Sequence, residues 1–149
     1  MLFRSKSKIL YRPHIVNIYD NDGKKIEQIF KDFNGEVTEK VIYSYDERGC
    51  NTIRDIYDSE DKLLMKTIIS YNNQKKILEE KRYKSEGYLS NITTYNSQQR
   101  VDKSVTYTIN GDIWLKEKYK YDDKGNWVEK LEYNSDSEPK IIERTIEYY

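Results

Sequence analysis

The chain has 149 residues, enough for one domain or one array of small units. Its 26 basic and 26 acidic side chains cancel, so no net field draws it toward nucleic acid or an anionic membrane. No apolar run is long enough to span a bilayer, and the single cysteine, Cys50, excludes an intrachain disulfide. Hydrophobic residues are only 36%, yet 15 of them are tyrosines, so a thin, tyrosine-based core is expected in place of disorder.

Residues 1 to 14 (MLFRSKSKILYRPH) carry basic side chains but no apolar h-region, so they read as a lead-in and not as a signal peptide. The chain is then expected to be cytoplasmic if Met1 is its native start, and exported or cell-surface if a leader has been removed. Residues 15 to 149 read as one domain of repeats.

From Tyr19 onward a short motif recurs, an aromatic, then Asp or Asn, then solvated residues and a glycine. Its anchors fall at Tyr19, Lys31, Tyr45, Tyr57, Tyr71, Tyr83, Tyr95, Tyr107, Tyr121 and Tyr133, spaced by 12 or 14 residues. The six glycines, Gly23, Gly35, Gly49, Gly87, Gly111 and Gly125, each sit four residues after an anchor. A three-residue hairpin loop ends in a left-handed residue, which suits glycine, and Asp or Asn at its start accepts a backbone amide two residues on. Each anchor then lies opposite the residue six further along: Lys25, Val37, Asn51, Leu63, Ile77, Leu89, Val101, Ile113, Trp127 and Pro139.

Because 12 and 14 are even, this register puts all the anchors on one common face, which is expected to be the buried one. The segments between turns are rich in Ile, Val, Thr and Tyr, and Pro13 and Pro139 are expected to lie outside strand interiors. Ten turns imply an all-β, antiparallel up-and-down meander of about eleven strands built from 12–14-residue hairpin repeats. It should form a curved single-layer sheet or a barrel-like one. Polar side chains recur in mid-strand on both faces, so neither offers a full core.

The strings IYSYDERGCN (residues 42 to 51) and YKYDDKGNWVEK (residues 119 to 130) resemble the YD repeat of Rhs-type proteins, whose core reads roughly Y-x-Y-D-x-x-G-N. The resemblance extends over residues 15 to 149, and Tyr71 and Tyr95 head units that lack the glycine. It implies strips of β-hairpins, often in exported surface proteins, frequently labelled sugar-binding, and in large members wound into shells around toxins.

Residues with chemical potential have plain structural readings. His14 is the one histidine and precedes the repeats; Cys50 reads as a structural thiol beside a turn. Glu79 with Glu80, and Glu117 with Glu129, offer paired carboxylates, but cross-strand ion pairs are the expectation in so charged a sheet. Asp20 to Gly23 lacks the further ligands of a calcium loop, and no cofactor, zinc or phosphate motif is present. Trp114, Tyr119, Tyr121 and Trp127 are the candidate partner or ligand contacts, with Trp114 expected on the face opposite the other three. The leading expectation is a non-enzymatic protein-binding or scaffold module that uses a sheet face or edge, self-association included. A carbohydrate-binding surface module and an intracellular immunity or inhibitor protein are the alternatives.

Overall fold

At Tyr45-Asp46-Glu47-Arg48-Gly49-Cys50 three short hydrogen bonds hold the backbone reversal. The Asp46 amide donates to the Cys50 carbonyl at 2.9 Å, the Gly49 amide donates to the Asp46 carbonyl at 2.9 Å, and Asp46 Oδ1 accepts the Cys50 amide at 2.8 Å. Gly49 closes the loop at a φ of 79°, where a Cβ would be strained. The computed structural model describes residues 14 to 148, and the backbone bonds of this corner occur nine times in it. The side-chain acceptor recurs at Asp20, Asp32, Asp58, Asn72, Asn96 and Asp122, and the Thr108 hydroxyl takes the same place. Where the glycine is missing the geometry persists: Asp61, Lys75 and Gln99 hold φ values of 62°, 60° and 63°.

These corners link eleven strands: β1 (His14–Tyr19), β2 (Lys25–Lys31), β3 (Val37–Tyr45), β4 (Asn51–Asp58), β5 (Leu63–Tyr71), β6 (Ile77–Lys84), β7 (Leu89–Tyr95), β8 (Val101–Tyr107), β9 (Ile113–Tyr121), β10 (Trp127–Asn134) and β11 (Ser137–Glu143). They lie side by side in chain order in one antiparallel sheet, and the described residues contain no helix. The sheet is open, so barrel closure is not observed. With an odd number of strands β1 and β11 run the same way, and the meander's own antiparallel ladder cannot join them. His14, expected in the lead-in, belongs to β1; residues 1 to 13, with Pro13, lie outside the described residues.

Two further expectations are corrected. The tenth corner is not a three-residue loop: Asn134 pairs with Ser137, and only Ser135 and Asp136 connect them. Pro139, expected outside strand interiors, lies inside β11, where an outermost strand tolerates its missing N–H.

The larger correction concerns the common tyrosine face. Tyr45 pairs with Asn51, but Ser44 pairs with Ile53, so Thr52 is an extra residue in β4. The same one-residue shift follows each of the other eight corners, leaving Ile26, Thr38, Leu64, Leu78, Ser90, Asp102, Trp114 and Val128 outside the ladder. A bulge reverses side-chain alternation beyond it. Successive anchors consequently point to opposite sides of the sheet. Tyr19, Tyr45, Tyr71, Tyr95 and Tyr121 share the first face; Lys31, Tyr57, Tyr83, Tyr107 and Tyr133 share the second. Side-chain contacts obey this division: Tyr43 meets Gln28 on the first face, whereas Lys40 lies over Tyr57 and Lys116 over Tyr133 on the second.

Both faces bury a little and neither buries much. Val41 and Ile69 on the first face, and Val105 on the second, are enclosed by neighbouring side chains, but no described side chain falls below 2% exposure. Corner geometry consequently carries much of the specification. Replacing Gly49 with Ala should cost about 1 kcal/mol in urea unfolding, and Lys75→Gly should gain about 0.5 kcal/mol, since relief of left-handed strain outweighs added unfolded-chain entropy. Equal stabilities would refute that assignment.

The Cys50 amide, first among its donors, holds the Asp46 carboxyl below its ordinary range, and the Tyr148 hydroxyl does the same for Asp122. Depressed folded-state values mean the contribution is present above the ordinary carboxylate pKa of about 4 and is lost as pH falls through the folded value. Melting temperature should therefore drop on acidification below about pH 4. Asp46→Asn should flatten part of that drop, because Asn72 and Asn96 make the same turn without a charge.

Candidate functional site

Beside Phe30, Val41, Ile56, Met65 and Ile69, the first face carries a polar, hydrogen-bonded network bordered by tyrosines. Glu80 pairs across the ladder with Ile69 and Thr93 and is only 5% exposed. Arg54 Nη2 reaches it at 2.7 Å and Arg82 Nη2 at 3.3 Å, so the buried charge is held between two guanidinium groups. Next to it, Asn91 Nδ2 donates to Ser104 Oγ and to the Val105 carbonyl at 3.1 Å each, and Thr93 Oγ1 donates to Asn91 Oδ1 at 2.9 Å. Burial pushes the hydroxyls of Tyr71 and Tyr95, which border this network, above the usual tyrosine range. Further along, Lys130 bridges Glu117, at 3.2 Å, and Glu132.

Neither carboxylate pair offered by the sequence forms. Glu79 and Glu80 project to opposite faces, as do Glu117 and Glu129, and each has a cation: Lys81 at 3.0 Å from Glu79 and Lys120 at 2.8 Å from Glu129 complete the set. Cross-strand and along-strand ion pairing is what these acids do. Cys50 is buried, and His14 stands exposed opposite Lys31. Among the described residues no cluster of His, Cys, Asp or Glu is arranged to hold a metal ion.

Tyr119, Tyr121 and Trp127 do share the first face, at the β9–β10 corner. Tyr121 pairs with Trp127, and the Tyr119 and Tyr121 rings stack at 6.5 Å. They form a packed corner, not an open platform. Arg100 covers Tyr121 at 5.5 Å, Arg144 covers Trp127 at 4.1 Å while its Nε donates to the Trp127 carbonyl, and the Tyr121 hydroxyl donates to the Val101 carbonyl at 2.7 Å. Gly125 belongs to this packing, since a methyl group there would collide with the Arg100 guanidinium. The chain after β11 returns over the corner, where Tyr148 bonds Asp122 and accepts from Asn126 Nδ2. Trp114 is at the far end of β9. It is the extra residue of a bulge, 49% exposed, and not grouped with the other three.

The second face is more open and chemically divided. On β1 to β5 it presents Val16, Ile18, Ile29, Ile42, Ile53 and Ile68, of which Ile42 is 38% and Ile68 40% exposed. A shallow cavity of about 300 Å³, lined in part by Leu63, Lys66, Ile68 and Tyr83, continues this stripe. On β8 to β10 the same face carries Lys103, Lys116, Lys118 and Lys120 around Val105 and Tyr133, with Glu129 as their acid. Lys103 and Lys118 are direct cross-strand partners, a like-charge pairing that costs stability.

The sequence reading did not single out this apolar-and-basic face. The alternation of lysines at 116, 118 and 120 was available as a signal. Assigning Ile42, Ile53 and Ile68 to the same side requires counting the bulges.

No protein-family model matches the sequence, and no curated protein matches it. Solved structures with similarity include the GtfA/B complex bound to UDP and GlcNAc, at 14% identity and a TM-score of 0.39, with 95% of this chain aligned to 26% of that one. A Bacteroides fragilis protein of unknown function aligns at 13% identity and a TM-score of 0.37, over 85% of this chain and 94% of its own. The Photorhabdus luminescens Tc holotoxin pore aligns at 14% and 0.29, over 87% of this chain and 9% of that chain. At these values the similarities bear on neither activity nor partner.

The Arg54–Glu80–Arg82 arrangement makes a sharp test. Arg54→Leu should destabilise the chain by about 3 kcal/mol, because Glu80 stays buried with half its compensation gone. The double change Arg54→Leu with Glu80→Leu should cost less than that single change in the same urea titration. Additive losses would show that the buried carboxylate is not the source of the penalty.

Proposed function

We propose that the chain is a non-enzymatic binding or scaffold module whose second face docks a protein partner. The observation that carries this reading is the opposed Lys103–Lys118 pair beside an exposed aliphatic stripe. A sheet that served only its own stability would gain from an acid at either position. An acidic group on a partner would relieve the repulsion, and the partner's apolar side chains would cover Ile42 and Ile68. The corner motif Tyr-Asp-x-x-Gly supports grouping the chain with YD-repeat proteins, and a hairpin strip offering its surface to another polypeptide suits that grouping. The polar network and covered aromatic corner of the first face give less support to a carbohydrate platform, for which Trp114 is the remaining exposed indole.

Lys118→Glu separates folding from binding. It should raise the stability of the isolated chain by about 0.5 kcal/mol, by pairing with Lys103, while lowering retention of partners co-purified from the native source. Ile42→Glu should lower that retention with little change in circular dichroism. Partner retention that survives both changes would refute docking through the second face.

A further inference from the structure

We propose that the outer edge of β1 joins two copies of this chain, antiparallel, about a two-fold axis through Asn17. The proposal goes beyond docking on the second face and does not depend on it.

The two edges of the sheet differ in chemistry. β11 (SEPKIIE) carries Glu138, Pro139, Lys140 and Glu143, residue types that discourage strand addition. β1 (HIVNIY) has no proline, lysine or acid, and Ile15 and Tyr19 are 52% and 56% exposed.

Backbone direction is fixed by the first corner. The Asp20 amide donates to Lys24 and the Asp20 carbonyl accepts from Gly23, so the Asp20 backbone turns toward β2. By alternation Ile18, Val16 and His14 turn the same way, and Ile15, Asn17 and Tyr19 direct their N–H and C=O groups outward. No described residue pairs with that outer side of the ladder.

A two-fold axis normal to the sheet keeps each face continuous. It admits a register in which Asn17 meets the Asn17 of the second copy, Ile15 meets Tyr19, and Val16 meets Ile18. All three outward-directed residues then form hydrogen-bonded pairs, two bonds each. Apolar side chains meet apolar ones, amide meets amide, and no charge is buried. Val16 and Ile18 lie beside Ile29 and Glu27 on the second face, so the join carries the aliphatic stripe from one copy into the next. Another protein's strand would lack this self-complementarity. A single strand pair is a small interface, which implies affinity on the order of micromolar.

Sedimentation velocity of the full chain from about 1 to about 500 μM tests the proposal, since the range brackets such an affinity. The wild type should pass from monomer to dimer. Asn17→Pro, which removes an outward N–H and leaves the β1–β2 ladder intact, and Asn17→Lys, which opposes two charges on the axis, should both stay monomeric. If Asn17→Pro melts early, Asn17→Lys decides. Asn17→Cys should also cross-link to itself on mild oxidation, while Val16→Cys, whose partner position is Ile18, should not. A wild type that is monomeric throughout, as it would be if the edge serves a different protein's strand, overturns the proposal. So does dimerisation that persists unchanged in Asn17→Lys.

Discussion

The structure depends on one local constraint, the corner in which an Asp or Asn carboxyl or amide oxygen takes up backbone amides while the residue three positions on enters the left-handed region. Nine repetitions of that corner, seven of them capped by Asp or Asn, turn a highly charged chain into a sheet. Each satisfies backbone groups locally, so the fold does not wait on a deep core to specify itself. That suits a molecule with no fully enclosed side chain among its described residues. Lys75 and Gln99 demonstrate the strength of the constraint, because they accept left-handed geometry where the sequence supplies no glycine.

The second consequence of the corner is the division of labour between faces. Every three-residue loop is followed by one unpaired residue, and that residue turns the next half of the hairpin over. Anchors from one end of the sheet therefore gather on the first face and anchors from the other end on the second. The first face collects Arg54, Glu80, Arg82 and Asn91 into a hydrogen-bonded polar network. The second collects isoleucines at one side, with Lys31, Lys40 and Lys66 among them, and a cluster of lysines at the other. A meander without bulges would have mixed these sets.

Strand number, topology and corner chemistry followed from the spacing of tyrosines and glycines, because turn geometry is local and its residue requirements are strict. The face assignment did not follow. Thr52 and Leu64 look like ordinary strand residues, and nothing in their identity marks them as lying outside the ladder. One uncounted residue per hairpin leaves the corner pairs intact but inverts the expectation that successive anchors share a face. The last corner failed for a different reason: Asn134-Ser135-Asp136 supplies its own two-residue turn, and Pro139 was free to enter an outer strand. The candidate aromatics divided along the same lines, with Tyr121 and Trp127 brought together by corner pairing and Trp114 displaced by a bulge.

The face division is tested most directly by side-chain NOEs in solution. The Tyr57 ring should contact the Lys40 methylenes and Leu63, and the Tyr133 ring should contact Lys116, as expected if every corner is followed by one unpaired residue. Contacts from the Tyr57 ring to Val41 and Met65 would place all the anchors on one side and contradict the account.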